Sequence, residues 1–173
     1  AAAGEAVALK RAGVGSVRVF VMDGEAGLTP GSNHETMNSA WGLGLDNLYL
    51  IIDWNDFGID KHCVSEVVPG TPMDWFSSHQ WHVYGAEDGS DWRSVATALL
   101  KMVGQPILDK APSIAWLKTR KGRGYLKFDA DSHGVPHPMN SELFWETKRP
   151  FAEKYQVQFT NFGGKPRKIP RHY

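Results

Sequence analysis

Two groups of polar residues in this chain each follow a short apolar run of the kind that forms buried strands. Residues 23–25 read Asp-Gly-Glu, and residues 53–56 read Asp-Trp-Asn-Asp. The segment between them has the length of one helix, so we expect a β–α–β unit with both polar groups at the carboxyl edge of a parallel sheet, where ligands bind. Asp23 and Asn55 offer the hard oxygen atoms that Mg²⁺ or Ca²⁺ accepts, and Mg²⁺ usually adds phosphate oxygens. The sequence therefore predicts a metal–diphosphate site.

Composition narrows the class of protein. The chain has 173 residues, a formal net charge of zero and 42% hydrophobic residues, which suits one globular domain. This charge balance gives no electrostatic basis for a nucleic-acid or membrane partner. A single cysteine, Cys63, excludes an intramolecular disulfide, and no signal peptide or bilayer-length apolar run is present, which together suggest a cytoplasmic protein. Because the chain starts without Met in a helix-like segment, we expect a fragment.

Strands and helices are predicted to alternate along the chain. Strands are predicted at residues 17–22, 48–52, 81–85 and 113–118, and helices at residues 1–12, 32–44, 71–79, 90–104 and 142–155. Ser32 and Glu35 fit a capping box at the start of the second helix. Residues 57–70 are expected to form an irregular loop with short extended pieces. The alternation predicts an α/β fold, a parallel sheet with flanking helices, over residues 1–158, followed by a linker or tail at 159–173.

The polar groups and two later stretches resemble the thiamin diphosphate motif of the transketolase-like enzymes. In that family a Gly-Asp-Gly triplet, a helix and a strand precede an Asn, as Asp-Gly-Glu precedes Asn55 here. Lys-Thr-Arg-Lys-Gly-Arg-Gly at residues 118–124 and Ser-His-Gly-Val-Pro at residues 132–136 resemble the corresponding transketolase loop. The resemblance extends over about residues 1–155, and it implies the thiamin diphosphate-binding fold in incomplete form.

The resemblance implies specific roles for the residues of the predicted metal–diphosphate site. Asp23 and Asn55 would bind Mg²⁺ together with the main-chain carbonyl of Phe57, and Ca²⁺ could replace Mg²⁺. The main chain of Gly24 and Glu25 would contact the diphosphate of thiamin diphosphate. A dication suits a diphosphate, and glycine permits close approach of the backbone.

Three further residues acquire roles from the resemblance. His133 matches the family histidine near the diphosphate and the substrate, where an imidazole can exchange protons near neutral pH. Glu35 falls where the family has a helix glutamate near the subunit interface, one of a set of carboxylates that joins two active sites; the capping box is a second, compatible role. Lys121 replaces an apolar residue near the cofactor, and its basic run, residues 118–127, is either a solvated face or a source of charge for a cofactor or sugar phosphate.

Together with Lys121, two further departures from the family pattern indicate a divergent branch or an altered substrate. Met22 replaces the first glycine of Gly-Asp-Gly, which affects one close backbone contact to the diphosphate. Pro30 stands where transketolases generally carry another interface glutamate.

Other polar residues are expected to be structural. Asp53 and Asp56 suit turns and loops better than a metal. The remaining histidines have no spacing typical of zinc sites and are expected at the surface or in packing: His34, His62, His79, His82, His137 and His172.

The resemblance implies a transferase that moves a two-carbon ketol unit between sugar phosphates of the pentose phosphate pathway, using Mg–thiamin diphosphate. This chain would supply the metal and diphosphate half of the site. A pyrimidine-binding domain, on the same or another chain and within a homodimer, would supply the rest, so the isolated chain is expected to be inactive. Two alternatives remain: the first component of a homodimeric 2-oxo acid dehydrogenase, and a pseudoenzyme or assembly subunit that no longer binds cofactor.

Overall fold

The computed structural model describes residues 1–104, 109–160 and 162. The chain divides into two compact units, which we call the first unit (Ala1–Arg120) and the second unit (Lys121–Tyr173). Among the described residues, every helix is too short or too polar to cross a membrane.

The first unit is built on a four-stranded parallel sheet with the strand order β1-β2-β4-β3. The strands are β1 (Val19–Gly24), β2 (Leu48–Trp54), β3 (His82–Ala86) and β4 (Ser113–Lys118). Because every pair is parallel, all four carboxyl ends lie at one edge, and the register places Gly24 opposite Asp53. The predicted parallel α/β sheet is confirmed.

The first unit contains five helices among its described residues, and the second unit contains a sixth. They are α1 (Ala2–Arg11), α2 (Gly31–Gly42), α3 (Val64–Val67), α4 (Pro72–Ser77), α5 (Trp92–Gly104) and α6 (Glu142–Tyr155), with 3-10 turns at Glu25–Leu28 and Asp129–Ser132. The predicted start of α4 is confirmed: Thr71 Oγ1 accepts a hydrogen bond from Asp74 N (3.2 Å), and Asp74 Oδ2 accepts one from Thr71 N (2.8 Å). At α6, the cap is Ser141, whose Oγ accepts from Phe144 N (3.2 Å).

The core lies on both faces of β2, because successive residues of a strand project to opposite sides. On one face Leu48, Leu50 and Ile52 pack in a cluster that includes α1 and α2 residues and the aromatic side chains Trp75, Phe76 and Trp81. On the other face Tyr49 packs with Met102 of α5 and with Ala115 of β4. β2 is therefore covered by apolar side chains on both faces.

The predicted strand limits are displaced at the functional edge. β1 begins at Val19 and not at residue 17, because Val17 N donates to Val14 O in a turn (3.0 Å). Strand pairing then continues to Gly24 in β1 and to Trp54 in β2, two residues beyond each predicted end. Asp23, Gly24 and Asp53 therefore lie within paired strand ends and not in the loops after them.

The predicted capping box of Ser32 and Glu35 is wrong. α2 begins at Gly31, with Pro30 as the N-cap in an extended conformation (φ −61°, ψ 140°), and no side chain caps it. The proline ring fixes φ near the value required there, so the helix starts before Ser32. Ser32 lies inside the helix, where its carbonyl accepts from Thr36 Oγ1 (2.8 Å), and Glu35 is exposed.

The second unit contains α6 and an aromatic cluster around it. Trp145 is buried, and Phe144 meets its ring edge to face at 5.0 Å between centroids. Lys148 Nζ lies 4.0 Å from the Phe144 ring centroid and 5.2 Å from that of Phe159, so a cation sits among the rings. The predicted tail lies largely outside the described residues, and the predicted domain limit at residue 158 stays a prediction.

Candidate functional site

The carboxyl end of β1 holds the Asp23 carboxylate at the surface. Gly24 N donates to Asp23 Oδ1 (2.8 Å). Gly27, in the 3-10 turn that follows, lies against the same carboxylate, and a Cβ added at Gly27 would come 2.7 Å from Asp23 Oδ1. The position of this carboxylate therefore depends on a residue without a side chain.

Met22, which replaces the first family glycine, points away from this carboxylate. Adjacent residues of a strand project to opposite faces, so the Met22 and Asp23 side chains lie on different sides of β1. Met22 is 71% exposed. The substitution therefore does not put a side chain on the Asp23 side of the strand.

Glu25 joins the ends of β1 and β2 through a buried side chain. It is 1% exposed, and its Oε2 accepts from Asn55 N (3.1 Å). Glu25 Oε1 is also buried and has no hydrogen-bond partner among the described residues. Burial raises the pKa of the Glu25 carboxyl, and the Asp53 charge adds to this, whereas main-chain hydrogen bonds from Glu25, Asn55 and Asp56 oppose it. The sequence suggested only a main-chain role for Glu25.

We expect Glu25→Gln to change how stability depends on pH. Glutamine keeps an oxygen that can accept from Asn55 N but cannot ionise. The pKa of Glu25 is raised in the folded protein, so its neutral carboxylic acid contributes to the stability of the fold. This contribution is complete below the ordinary glutamate pKa and is lost as the pH rises through the raised pKa of Glu25. The free energy of unfolding of Glu25→Gln, relative to the wild type, should therefore increase with pH across that window.

Urea unfolding in EDTA at a series of pH values measures this difference. The control is Glu5→Gln, since Glu5 is an exposed glutamate of the same unit. A Glu25→Gln profile parallel to that of Glu5→Gln would show that the buried carboxyl does not govern the pH dependence.

Asn55 follows β2, and hydrogen bonds hold both ends of its amide. Nδ2 donates to Asp53 Oδ2 (3.0 Å), and Oδ1 accepts from Phe57 N (3.1 Å). The hydroxyl of Thr119, just after β4, donates to Asp53 Oδ1, and Thr119 N donates to Trp54 O (3.0 Å). Asp53 thus acts as a structural acceptor, as expected, and connects the ends of β2 and β4.

The loop after Asn55 is more ordered than the sequence predicts. Asp56 accepts from both Ser65 N and Ser65 Oγ (2.8 Å each), in the loop-stabilising role expected of it. Phe57 forms an isolated antiparallel bridge with Cys63, and the one-turn helix α3 lies within the segment predicted to be irregular. These contacts join residues only six to nine positions apart, and the segment has no helical period that would indicate them.

Asp23 and Asn55 lie at the same sheet edge but line different cavities. Asp23 lines a cavity of about 190 Å³ against α1 and α2, together with the polar residues Asn33 and Thr36. Asn55 lines a cavity of about 220 Å³ beside the ends of β2 and β4. The other residues of that second cavity include Trp54, Trp75, Lys118 and Thr119. The structure brings both predicted ligands to one edge without placing them in one cavity.

Lys121 and His133 belong to the second unit. Lys121 is half-buried, and its carbonyl accepts from Asp129 N (3.0 Å). His133 is exposed and follows the 3-10 turn Asp129–Ser132, with its main-chain N–H donating to Ala130 O (3.2 Å). An exposed imidazole can exchange protons with a bound molecule.

Tyr125 and His137 hold the segment that carries His133. His137 is buried, stacks on Tyr125 at 4.2 Å between ring centroids, and donates from Nε2 to Tyr125 O (2.7 Å). The Tyr125 hydroxyl donates to Val135 O (3.1 Å) and accepts from His137 N (2.9 Å). His137 is therefore a packing residue, as expected. Sequence reasoning missed Tyr125, although the glycines around it pointed to a shaped loop.

The oxygen donors at this edge are of the kind that Mg²⁺ accepts. Among residues 1–104, 109–160 and 162, no group of three or more His, Cys, Asp or Glu side chains could hold a metal ion. The set suggested by the sequence has one carboxylate, from Asp23, with the Asn55 amide and the Phe57 carbonyl, so phosphate and water oxygens would complete it, as is usual for Mg²⁺. Asp23 is exposed, and its carboxylate lies against Gly27, where an added Cβ would come 2.7 Å from Oδ1.

Residues 9–160 match the family model for the transketolase thiamine diphosphate binding domain. The chain belongs to this family. The match covers both stretches that carried the resemblance, which is thereby confirmed.

Individual relatives agree with the family. The chain is 32% identical over 132 residues to the transketolase of Buchnera aphidicola subsp. Baizongia pistaciae. This alignment covers 75% of the present chain and 19% of the Buchnera protein. It is 28% identical over 141 residues to a plasmid transketolase of Cupriavidus necator, which covers 77% of this chain and 20% of that protein. The chain thus spans a small part of the length of the curated relatives it matches.

Solved structures share the fold. The transketolase of Campylobacter jejuni superposes with a TM-score of 0.70 at 23% identity, over 86% of this chain and 24% of that chain. The transketolase of Leishmania mexicana superposes with a TM-score of 0.69 at 23% identity, over 87% of this chain and 22% of that chain. The chain therefore has the thiamin diphosphate-binding α/β fold in incomplete form.

Proposed function

We propose that this chain is the metal- and diphosphate-binding part of an enzyme that transfers a two-carbon ketol unit between sugar phosphates. The observation that carries the proposal is the family match over residues 9–160, together with the oxygen-bearing edge of the sheet within it. Asp23, Asn55 and the Phe57 carbonyl would bind Mg²⁺, or Ca²⁺ in its place. The main chain of Gly24 and Glu25 would contact the diphosphate.

The geometry around Asp23 supports a phosphate-bearing ligand. The exposed carboxylate attracts a dication, and a dication in turn neutralises a diphosphate. Only the Asp53 carbonyl, at 3.9 Å, lies within 4 Å of the position of an added Cβ at Gly24, so the side of Gly24 where a side chain would project is open. When bound, thiamin diphosphate supplies the carbanion chemistry, while the protein supplies binding and orientation.

Three residues would act on the substrate or beside it. His133 would exchange a proton with the sugar phosphate or the cofactor, which its exposure permits. Lys121 would supply positive charge to a phosphate. Glu35, exposed on α2, would contact the second subunit of a homodimer and belong to a carboxylate set between the two active sites.

The isolated 173-residue chain is expected to be inactive. In the proposal, a pyrimidine-binding domain on the same or another chain supplies the other half of the cofactor site. An assay of the chain alone, with Mg²⁺, thiamin diphosphate, xylulose 5-phosphate and an aldose phosphate acceptor, should show no ketol transfer. Measurable turnover under these conditions would mean that the chain holds a complete site.

The substrate class is tested on the whole product of the gene. We expect consumption of xylulose 5-phosphate with transfer to an aldose phosphate, and no consumption of pyruvate. Pyruvate decarboxylation would instead favour the first component of a 2-oxo acid dehydrogenase, a family that shares the Asp-Gly-Glu start. Absence of cofactor binding would favour the pseudoenzyme.

A further inference from the structure

We propose that Asp53 and Thr119 are positioning residues that set the orientation of the Asn55 amide toward the metal. This inference rests on the proposed function, since it concerns how a metal ligand of that site is held. Neither residue would itself contact the metal or the substrate.

The orientation of an amide side chain depends on its neighbours, because its oxygen and nitrogen ends have similar shapes. At Asn55 the neighbours differ in character: Asp53 Oδ2 belongs to a carboxylate and can only accept a hydrogen bond, whereas Phe57 N can only donate one. The carboxylate therefore selects the Nδ2 end and the main-chain N–H selects the Oδ1 end. A carbonyl oxygen has two lone pairs, so Asn55 Oδ1 can accept from Phe57 N and still bind a cation.

Asp53 is itself fixed from two directions. Its main chain lies opposite Gly24 of β1 and Leu117 of β4, so the strand on which it sits is paired on both sides. Its Oδ1 accepts from the Thr119 hydroxyl, which leaves Oδ2 directed to Asn55. Hydrogen bonds to a charged acceptor are stronger than those between neutral groups, so the Thr119–Asp53–Asn55 network holds the Asn55 amide in one orientation.

Removing the charge of Asp53 should weaken this hydrogen-bonded network. An asparagine at residue 53 can present either an oxygen or an amino group to Asn55, so the Asn55 amide loses its preference for one orientation. Removing the Thr119 hydroxyl frees the Asp53 carboxylate to rotate, with a smaller effect. Changes to groups that orient metal ligands typically weaken metal affinity by about 10- to 100-fold.

The experiment compares Asp53→Asn, Thr119→Val and Thr119→Ser with the wild type, each prepared as the whole product of the gene. Asp46→Asn is the control, because it also removes one carboxylate charge from the first unit, but Asp46 precedes β2 at the opposite edge of the sheet and pairs with Lys10 (2.5 Å). The readout is the Mg²⁺ concentration that gives half-maximal binding of thiamin diphosphate in calorimetry. Urea unfolding in EDTA measures whether the metal-free fold is equally stable.

We expect the half-maximal Mg²⁺ concentration to rise about 10- to 100-fold in Asp53→Asn. It should rise less in Thr119→Val and return to the wild-type value in Thr119→Ser, which keeps the hydroxyl. Asp46→Asn should match the wild type. If Asp53 has a purely structural role, Asp53→Asn will be less stable in EDTA, and the Mg²⁺ requirement of the folded protein will be unchanged. That result would overturn the inference. The proposed function would still stand, provided that the wild type binds thiamin diphosphate with Mg²⁺. A wild type that does not bind thiamin diphosphate with Mg²⁺ would overturn both.

Discussion

Asp23→Ala is expected to weaken Mg²⁺-dependent binding of thiamin diphosphate by about 100-fold or more. Substitution of residues that only orient metal ligands already lowers metal affinity by about 10- to 100-fold, and loss of a ligand should lower it further. Asp23 is the one carboxylate in the proposed ligand set, and its removal leaves two neutral oxygens to hold a dication next to a diphosphate. Calorimetry with thiamin diphosphate and Mg²⁺ measures the affinity. The fold should be retained, because Asp23 is exposed.

The matched control for this substitution is Asp46→Ala. Asp46 is also in the first unit and pairs with Lys10 (2.5 Å), but it precedes β2 and so lies at the opposite edge of the sheet. Asp46→Ala should bind cofactor as the wild type does. If Asp23→Ala and Asp46→Ala bind equally well, Asp23 is not a metal ligand.

Gly122→Ala is expected to disrupt the basic loop that contains Lys121. Gly122 has φ +78°, and an added Cβ would lie 2.1 Å from Lys127 O and 2.7 Å from Ser132 Cβ. The left-handed backbone costs roughly 1–2 kcal/mol for any other residue. The clash with a main-chain oxygen adds about 1–3 kcal/mol, because the backbone must move.

Gly124→Ala separates these two costs. Gly124 has nearly the same backbone (φ +77°), but nothing lies within 4 Å of an added Cβ. Hydrogen exchange at Asp129 N, which donates to Lys121 O, reports on the loop. Exchange should accelerate strongly in Gly122→Ala and only modestly in Gly124→Ala. Equal acceleration in the two variants would mean that the contact with Lys127 does not shape the loop.

Elements with a strong local pattern could be predicted from the sequence. β4 is a continuous apolar run next to a proline, and α6 has a serine cap and an amphipathic period, and both were located correctly. The start of α2 was misplaced because Pro30 set the backbone before the apparent cap at Ser32. The ends of β1 and β2 were misplaced because pairing between strands, and not local composition, decides where a strand stops.

The residues of the candidate site could be named from the sequence, but their connections could not. Thr119 contacts Asp53 only because β4 lies next to β2, and the strand order β1-β2-β4-β3 is not encoded in any local pattern. The burial of Glu25 likewise follows from packing, since a glutamate after a strand usually faces solvent. The roles of the site residues in binding stay predictions.

The most direct test is a titration of thiamin diphosphate into the whole product of the gene, with Mg²⁺ and with EDTA. If the edge formed by Asp23, Asn55 and Phe57 binds the cofactor through a metal ion, saturable binding will appear with Mg²⁺ and disappear in EDTA. Binding of equal strength in EDTA, or no binding in either condition, would contradict the metal–diphosphate site.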